Sequence, residues 1–175
     1  MGDKVLVKDA GKIKKIIPAR EGLQGATFGV MEGVIVALGI LMGLSATNNS
    51  LILLVGIITC GLADALGNAA GFHVSEETEE YHTRREVWKS TILCFLSTMI
   101  VFFILAIPVL FLALTQAIIV SGFIGMVMLV FLGYFVNRIR GKNEALKTII
   151  EYVLMGALVS LICYWLGQLV CRINI

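Results

Sequence analysis

Long uncharged stretches, each bounded by charged or polar residues, dominate this chain. Between Glu32 and Asp64 lie 31 uncharged residues, interrupted by the polar run Ser45-Ala46-Thr47-Asn48-Asn49-Ser50. A run of that composition predicts a turn between two helices. Between Lys89 and Arg138 lie 48 uncharged residues. At about 1.5 Å per residue, that is about twice what a hydrocarbon core of roughly 30 Å accommodates as one helix. Two helices are therefore predicted there, turning at Ala113–Gln116. A last uncharged stretch of 20 residues separates Glu151 from Arg172. The pattern predicts an all-α membrane protein with five transmembrane helices, over residues 25–45, 50–74, 87–112, 117–137 and 147–170.

Composition removes the soluble alternative. The chain is 58% apolar and 15% charged, with a mean hydropathy of +0.93. A water-soluble domain needs about 25% charged residues to cover its core. Eighteen glycines against two prolines suit helices that approach closely inside a bilayer.

Charge adds an orientation. Six Lys and Arg precede the first span (Lys4, Lys8, Lys12, Lys14, Lys15, Arg20), three follow the second (Arg84, Arg85, Lys89), four follow the fourth (Arg138, Arg140, Lys142, Lys147), and Arg172 stands alone at the other side. The positive-inside rule then predicts a cytoplasmic N-terminus and an external C-terminus in the cell membrane. Residues 1–24 read as a basic cytoplasmic leader, with a short interfacial helix of alternating Ile13, Ile16, Ile17 and Lys12, Lys14, Lys15 that ends at Pro18. Residues 25–175 form one transmembrane domain, whose first span serves as its own insertion signal. A net charge of +2, without interleaved aromatics, gives no reason to expect a nucleic-acid partner. Cys60, Cys94, Cys163 and Cys171 have no CxxC spacing, and neither disulfides nor zinc are expected. With no phosphate-binding loop, HExxH or Ser/His/Asp constellation, neither an enzyme nor a resident cofactor is expected.

The candidate chemistry is what the bilayer makes costly. An ionisable side chain inside a span costs roughly 2.5–3.5 kcal/mol on insertion scales, and Glu32 is one such residue. At helical spacing Gly25, Gly29, Glu32, Val36, Gly39 and Gly43 fall within about 40° either side of one line. Glycine stripes are faces on which membrane helices meet, so Glu32 is expected to point at protein or a cavity, and the stripe to form a helix contact that supports a dimer. In the second span Asp64, Asn68, Gly71, Ser75, Glu79, His82 and Glu86 follow at steps of three or four. They predict a polar face running from the bilayer into the cytoplasm, provided the helix continues. Carboxylate, amide and imidazole groups are ligands of hard to borderline divalent cations, and Glu76, Glu77 and Glu80 add an acidic mouth. Glu151, one turn after Lys147, is expected to form an interfacial ion pair. His73 lies on the face opposite Asp64, at the membrane interface, where ligation is not favoured.

At this point the sequence resembles the vacuolar iron transporter family, which includes the plant vacuolar and yeast Ccc1-type iron and manganese transporters. The resemblance covers residues 21–170. It rests on Gly29-Val30-Met31-Glu32-Gly33 and Gly43-Leu44-Ser45 in the first span, Ala69-Ala70-Gly71-Phe72-His73-Val74-Ser75 at the end of the second, Pro108, and Ala145-Leu146-Lys147 followed by Gly156-Ala157-Leu158. It implies a homodimer of five-helix subunits that exchanges cytosolic Fe²⁺ for protons along a pathway between the copies. Three departures matter. The family's first-span aspartate is Glu32 here, its second-span methionine falls on Asn68, and the long cytosolic metal-binding insert is reduced to residues 75–86.

The combined reading is a secondary transporter that moves Fe²⁺ or Mn²⁺ out of the cytoplasm, by proton antiport. Glu32, Asp64 and Asn68 are its metal and proton pathway, and Ser75, Glu76, Glu79, Glu80, His82 and Glu86 its cytoplasmic capture site. The alternatives are a proton-coupled exporter of organic cations, which would need an aromatic box where the first span offers only Phe28, and a non-transporting membrane scaffold.

Overall fold

The computed structural model describes residues 3–78, 83–141 and 144–173, with side chains from Gly22 onward. Five α-helices carry the chain: α1 (Asp3–Leu44), α2 (Ser50–Glu77), α3 (Arg84–Phe111), α4 (Leu114–Arg140) and α5 (Ala145–Ile173). All five are long and apolar enough to cross a membrane, the first span running from Gly22 of α1 to Thr47 of the short turn that follows it. The described residues contain no strand. The protein is thus an integral, multi-pass, all-α membrane protein.

Local chemistry fixes the links. After α1 a 3-10 turn (Ser45–Thr47) leads to Asn48, which takes the left-handed conformation at φ 49°, a region asparagine tolerates. Asn49 then caps α2, its side-chain oxygen accepting from the backbone N–H groups of Leu51 (2.9 Å) and Ile52 (3.2 Å). The next turn is tighter than its sequence implied. Only Leu112 and Ala113 separate α3 from α4, and the Leu112 N–H still bonds to the Pro108 carbonyl at 2.9 Å. Gly141, at φ 65°, ends α4.

Two expectations are corrected. The leader does not form a separate short helix ending at Pro18, because α1 continues through that residue. Pro18 removes one backbone donor but leaves the remaining helical bonds of α1 to form. The second concerns the polar face beyond α2. That helix stops at Glu77 and α3 begins afresh at Arg84, so Glu86 belongs to a different helix from Asp64.

α1 packs against all four other helices. Its closest partner is α3, which runs parallel to it. Gly25 lies over the Ser90 backbone, Gly29 over Cys94, Ser97 and Thr98, and Gly33 over Thr98 and Val101. A β-carbon at Gly25 would stand 3.0 Å from the Ser90 carbonyl carbon and closer still to its oxygen. Farther along α1, Gly39 meets Val159 and Cys163 of α5, and Gly43 meets the Gly167 backbone. The glycine stripe expected to support a dimer is therefore used within one chain, its first half against α3 and its second against α5. Between these contacts Val34, Leu38, Leu41, Leu53, Ile57, Val101, Leu105 and Leu129 make a buried core. Large apolar side chains such as Phe103, Phe123, Phe131 and Trp165 cover the outside, as lipid requires and water would not permit.

Because nothing lies within 4 Å of a β-carbon built on Gly67 or Gly71 of α2, glycines on the two helices should respond oppositely to alanine. Gly25→Ala forces the α1 and α3 backbones apart and should cost about 1–3 kcal/mol. Gly67→Ala gains helix propensity and should leave the subunit at least as stable. Thermal unfolding of the two variants in detergent micelles, followed by circular dichroism, checks this contrast.

Candidate functional site

The α1–α3 contact carries Glu32 to the meeting point of three helices. Glu32 directly precedes Gly33, whose β-carbon position lies 3.1 Å from Val101 and 3.2 Å from the Thr98 carbonyl oxygen. It is partly buried. Its charge acts on Asp64 of α2 and on the Cys94 thiol of α3, which also feels Asp64. Asp64 and Asn68 stand one turn apart on α2, and the Asn68 Nδ2 amide donates to Asp64 Oδ2 at 3.0 Å. That bond uses the donor end of the amide, so the Asn68 carbonyl oxygen keeps its lone pairs for other work. The structure thus brings Glu32, Asp64 and Asn68 into one intramembrane neighbourhood.

Their position on α2 determines what else can reach them. Leu53, Ile57, Gly61, Ala65, Ala69, Phe72 and Glu76 form the buried line of that helix. Ala63, Gly67, Ala70 and Gly71 form an exposed face of small residues on the other side. Asp64 and Asn68, both partly buried, occupy the rim between the two. Among the described residues no three His, Cys, Asp or Glu side chains are gathered to hold a metal ion.

The expected capture residues do not form one group. Ser75 is exposed and its carbonyl accepts the Thr78 hydroxyl at 2.7 Å. Glu76 is only 2% exposed and points into the bundle, because it falls on the buried line of α2. Glu79, Glu80 and His82 lie outside the described residues. Glu86 begins α3: its Oε2 accepts the Thr83 N–H at 2.9 Å and the Thr83 hydroxyl at 2.7 Å, a capping-box arrangement. Lys147 and Glu151 are both exposed, and no ion pair joins them.

Residues on α3 complete the neighbourhood. The Thr98 hydroxyl reaches the Gly29 carbonyl at 3.1 Å and the Cys94 carbonyl at 2.9 Å, sharing one proton between two acceptors on different helices. Ser90 and Thr91, then Cys94, then Ser97 and Thr98 follow one another about one helical turn apart. That line of small and polar residues is the sequence signal for the α3 face that receives α1.

The fold and site define a multi-pass membrane protein with two carboxylates held between helices. Residues 72–168 match the VIT family. Because this is more than half of the chain, the protein belongs to that family, and it is a membrane transporter of metal ions rather than an enzyme. The matched segment begins at Phe72, so Glu32, Asp64 and Asn68 lie outside it. No curated protein matches the chain.

If Glu32 and Asp64 act on one ion, their effects on binding should not add. Mn²⁺ affinity of purified Glu32→Gln, Asp64→Asn and the double variant, measured by calorimetry, should give a coupling of about 1 kcal/mol or more, as groups in one network do. Additive losses would place the two carboxylates at separate sites.

Proposed function

We propose that this protein exports Fe²⁺ or Mn²⁺ from the cytoplasm in exchange for protons, as a homodimer whose metal pathway runs between the two copies in the cell membrane. The observation that carries the reading is the grouping of Glu32, Asp64 and Asn68 at the rim of an α2 face with nothing packed over Gly67 and Gly71. Small residues let helices of two molecules approach closely. A two-fold pair joined there would present each polar group twice around one axis. Four carboxylates and two amide oxygens suit a hard to borderline divalent ion.

Proton coupling follows from the same groups. A carboxylate must lose its proton to hold a metal, so loading the ion releases protons and reprotonation releases the ion. Orientation comes from the basic residues. The end of α2, the start of α3, the end of α4 and the start of α5 share one end of the bundle with the first part of α1, and among the described residues every Lys and Arg except Arg172 lies toward that end. The positive-inside rule makes that end cytoplasmic. Ser75 and the acidic link with Glu79, Glu80 and His82 would concentrate cations there.

Glu32→Gln keeps the shape of the side chain but cannot cycle a proton. The variant should fold and dimerise like the wild type while losing proton-coupled Mn²⁺ flux in proteoliposomes. Undiminished antiport would exclude the mechanism, while absence of metal flux in the wild type would favour a scaffold or an exporter of another cation.

Asn68 bears on selectivity. An oxygen-only site discriminates weakly between Fe²⁺ and Mn²⁺, whereas a thioether favours softer ions. Mn²⁺ should therefore compete nearly as well as Fe²⁺ in the wild type. Asn68→Met should shift preference toward Fe²⁺ or Co²⁺ by roughly 1 kcal/mol, about fivefold. Competition uptake assays on the two proteins test this, and a strong Fe²⁺ preference unchanged by methionine would remove Asn68 from the ligands.

A further inference from the structure

A second group of metal-binding atoms lies away from the Glu32 neighbourhood, at the basic end of the α2–α3 contact. His73 Nδ1 lies 2.9 Å from the Thr91 hydroxyl oxygen. That hydroxyl donates its single proton to the Val87 carbonyl at 2.8 Å. With that proton on the Val87 carbonyl, Thr91 accepts from His73, the arrangement that puts the hydrogen on Nδ1 and leaves the lone pair on Nε2 of a neutral ring. Nε2 faces the carboxylate of Glu77, one turn on, at 3.8 Å. This exceeds a hydrogen bond and leaves a gap between a nitrogen lone pair and a carboxylate oxygen. The Trp88 ring lies against the imidazole, with centroids 4.6 Å apart and planes tilted by 58°.

We propose that His73 Nε2 and Glu77 form a two-ligand site for a divalent transition metal, where an ion docks at the basic end of the bundle before it enters the membrane. The inference deepens the transport reading and rests on it for the nature of the cargo. A first-row ion about 2.1 Å from each of two ligand atoms at a tetrahedral angle holds them about 3.4 Å apart. A small rotation of Glu77, whose side chain is 51% exposed, closes the remaining few tenths of an ångström. Thr91 supplies what a ligating histidine needs on its far side, an acceptor that fixes the tautomer and the ring orientation. With only two protein ligands the ion keeps water in its other positions and leaves readily, which suits docking ahead of transfer.

Trp88 reports on the site directly. The chain has two tryptophans, so Trp165→Phe leaves Trp88 as the sole tryptophan, read by exciting at the red edge where tyrosine does not absorb. In the full-length protein with that background, Co²⁺ should quench Trp88 emission saturably, and diamagnetic Zn²⁺ should restore it by displacement. Adding His73→Gln should abolish the saturable quench, and Glu77→Gln should weaken it. Thr91→Val, which removes the positioning contact and the hydroxyl's bond to the Val87 carbonyl but neither ligand, should loosen Co²⁺ by roughly tenfold. Quenching that never saturates, resists Zn²⁺ or persists in His73→Gln would overturn the site and leave His73 and Glu77 as an ion pair. A saturable quench without metal flux in proteoliposomes would support the site while removing the transport reading, whereas flux without the quench would overturn the site alone.

Discussion

Close approach of the α1 and α3 backbones is the constraint on which the rest of this structure depends. Inside a bilayer there is no water to expel between helices, so association relies on dispersion contacts and on polar groups that find partners. Gly25, Gly29 and Gly33 bring α1 against the backbone of Ser90, Cys94 and Thr98, with only small α3 side chains such as Ser97 and Thr98 at the contact. The shared Thr98 hydroxyl adds a polar tie at the same place. With α1 held this closely, Glu32 has little freedom to turn toward lipid, and its charge is delivered to α2. The second half of the helix repeats the device on α5 at Gly39 and Gly43. α5 needs such a contact, because Gly156 is its one buried residue.

The two ends of α2 handle polar groups differently. Within the membrane, Asp64 and Asn68 satisfy each other in part and stand beside a bare helix face, an arrangement open to something outside the chain. Toward the basic end, Glu76 turns inward and His73 is fixed by α3. Glu86, a few residues farther on, starts the next helix. Acidic residues that look alike along the sequence are thus sorted by the helix face and the helix on which they fall.

Much of this was legible before the structure. Five helices follow from the lengths of uncharged sequence, since a bilayer fixes how many residues one pass can take. The polar run at 45–50 marks a turn for the same reason, and Glu32 and Asp64 stand out by their cost in lipid. The partner of the glycine stripe was not legible. A row of glycines says that something comes close, but it does not distinguish a neighbouring helix from a second molecule. Treating residues 64–86 as one polar face ignored Thr83-Arg84-Arg85-Glu86, whose Ser/Thr-x-x-Glu spacing marks a helix start. The burial of Glu76 was hidden because the apolar line that leads to it ends in an acid. His73 gained its tautomer and its neighbours only when Thr91 and Trp88 of another helix came within reach, a relation that helical periodicity within α2 cannot express.

The α1–α3 tie also sets an order of events during synthesis. Gly29 and Thr98, which it joins, are 69 residues apart in the chain, and at about 5–20 residues per second the ribosome needs roughly 3–14 s to span that interval. For those seconds α1 has emerged with Glu32 and its glycine face but without the helix they are shaped to meet. The nascent protein must therefore hold a carboxylate and a stretch of bare backbone in the insertion machinery, or at the membrane surface, until α3 arrives.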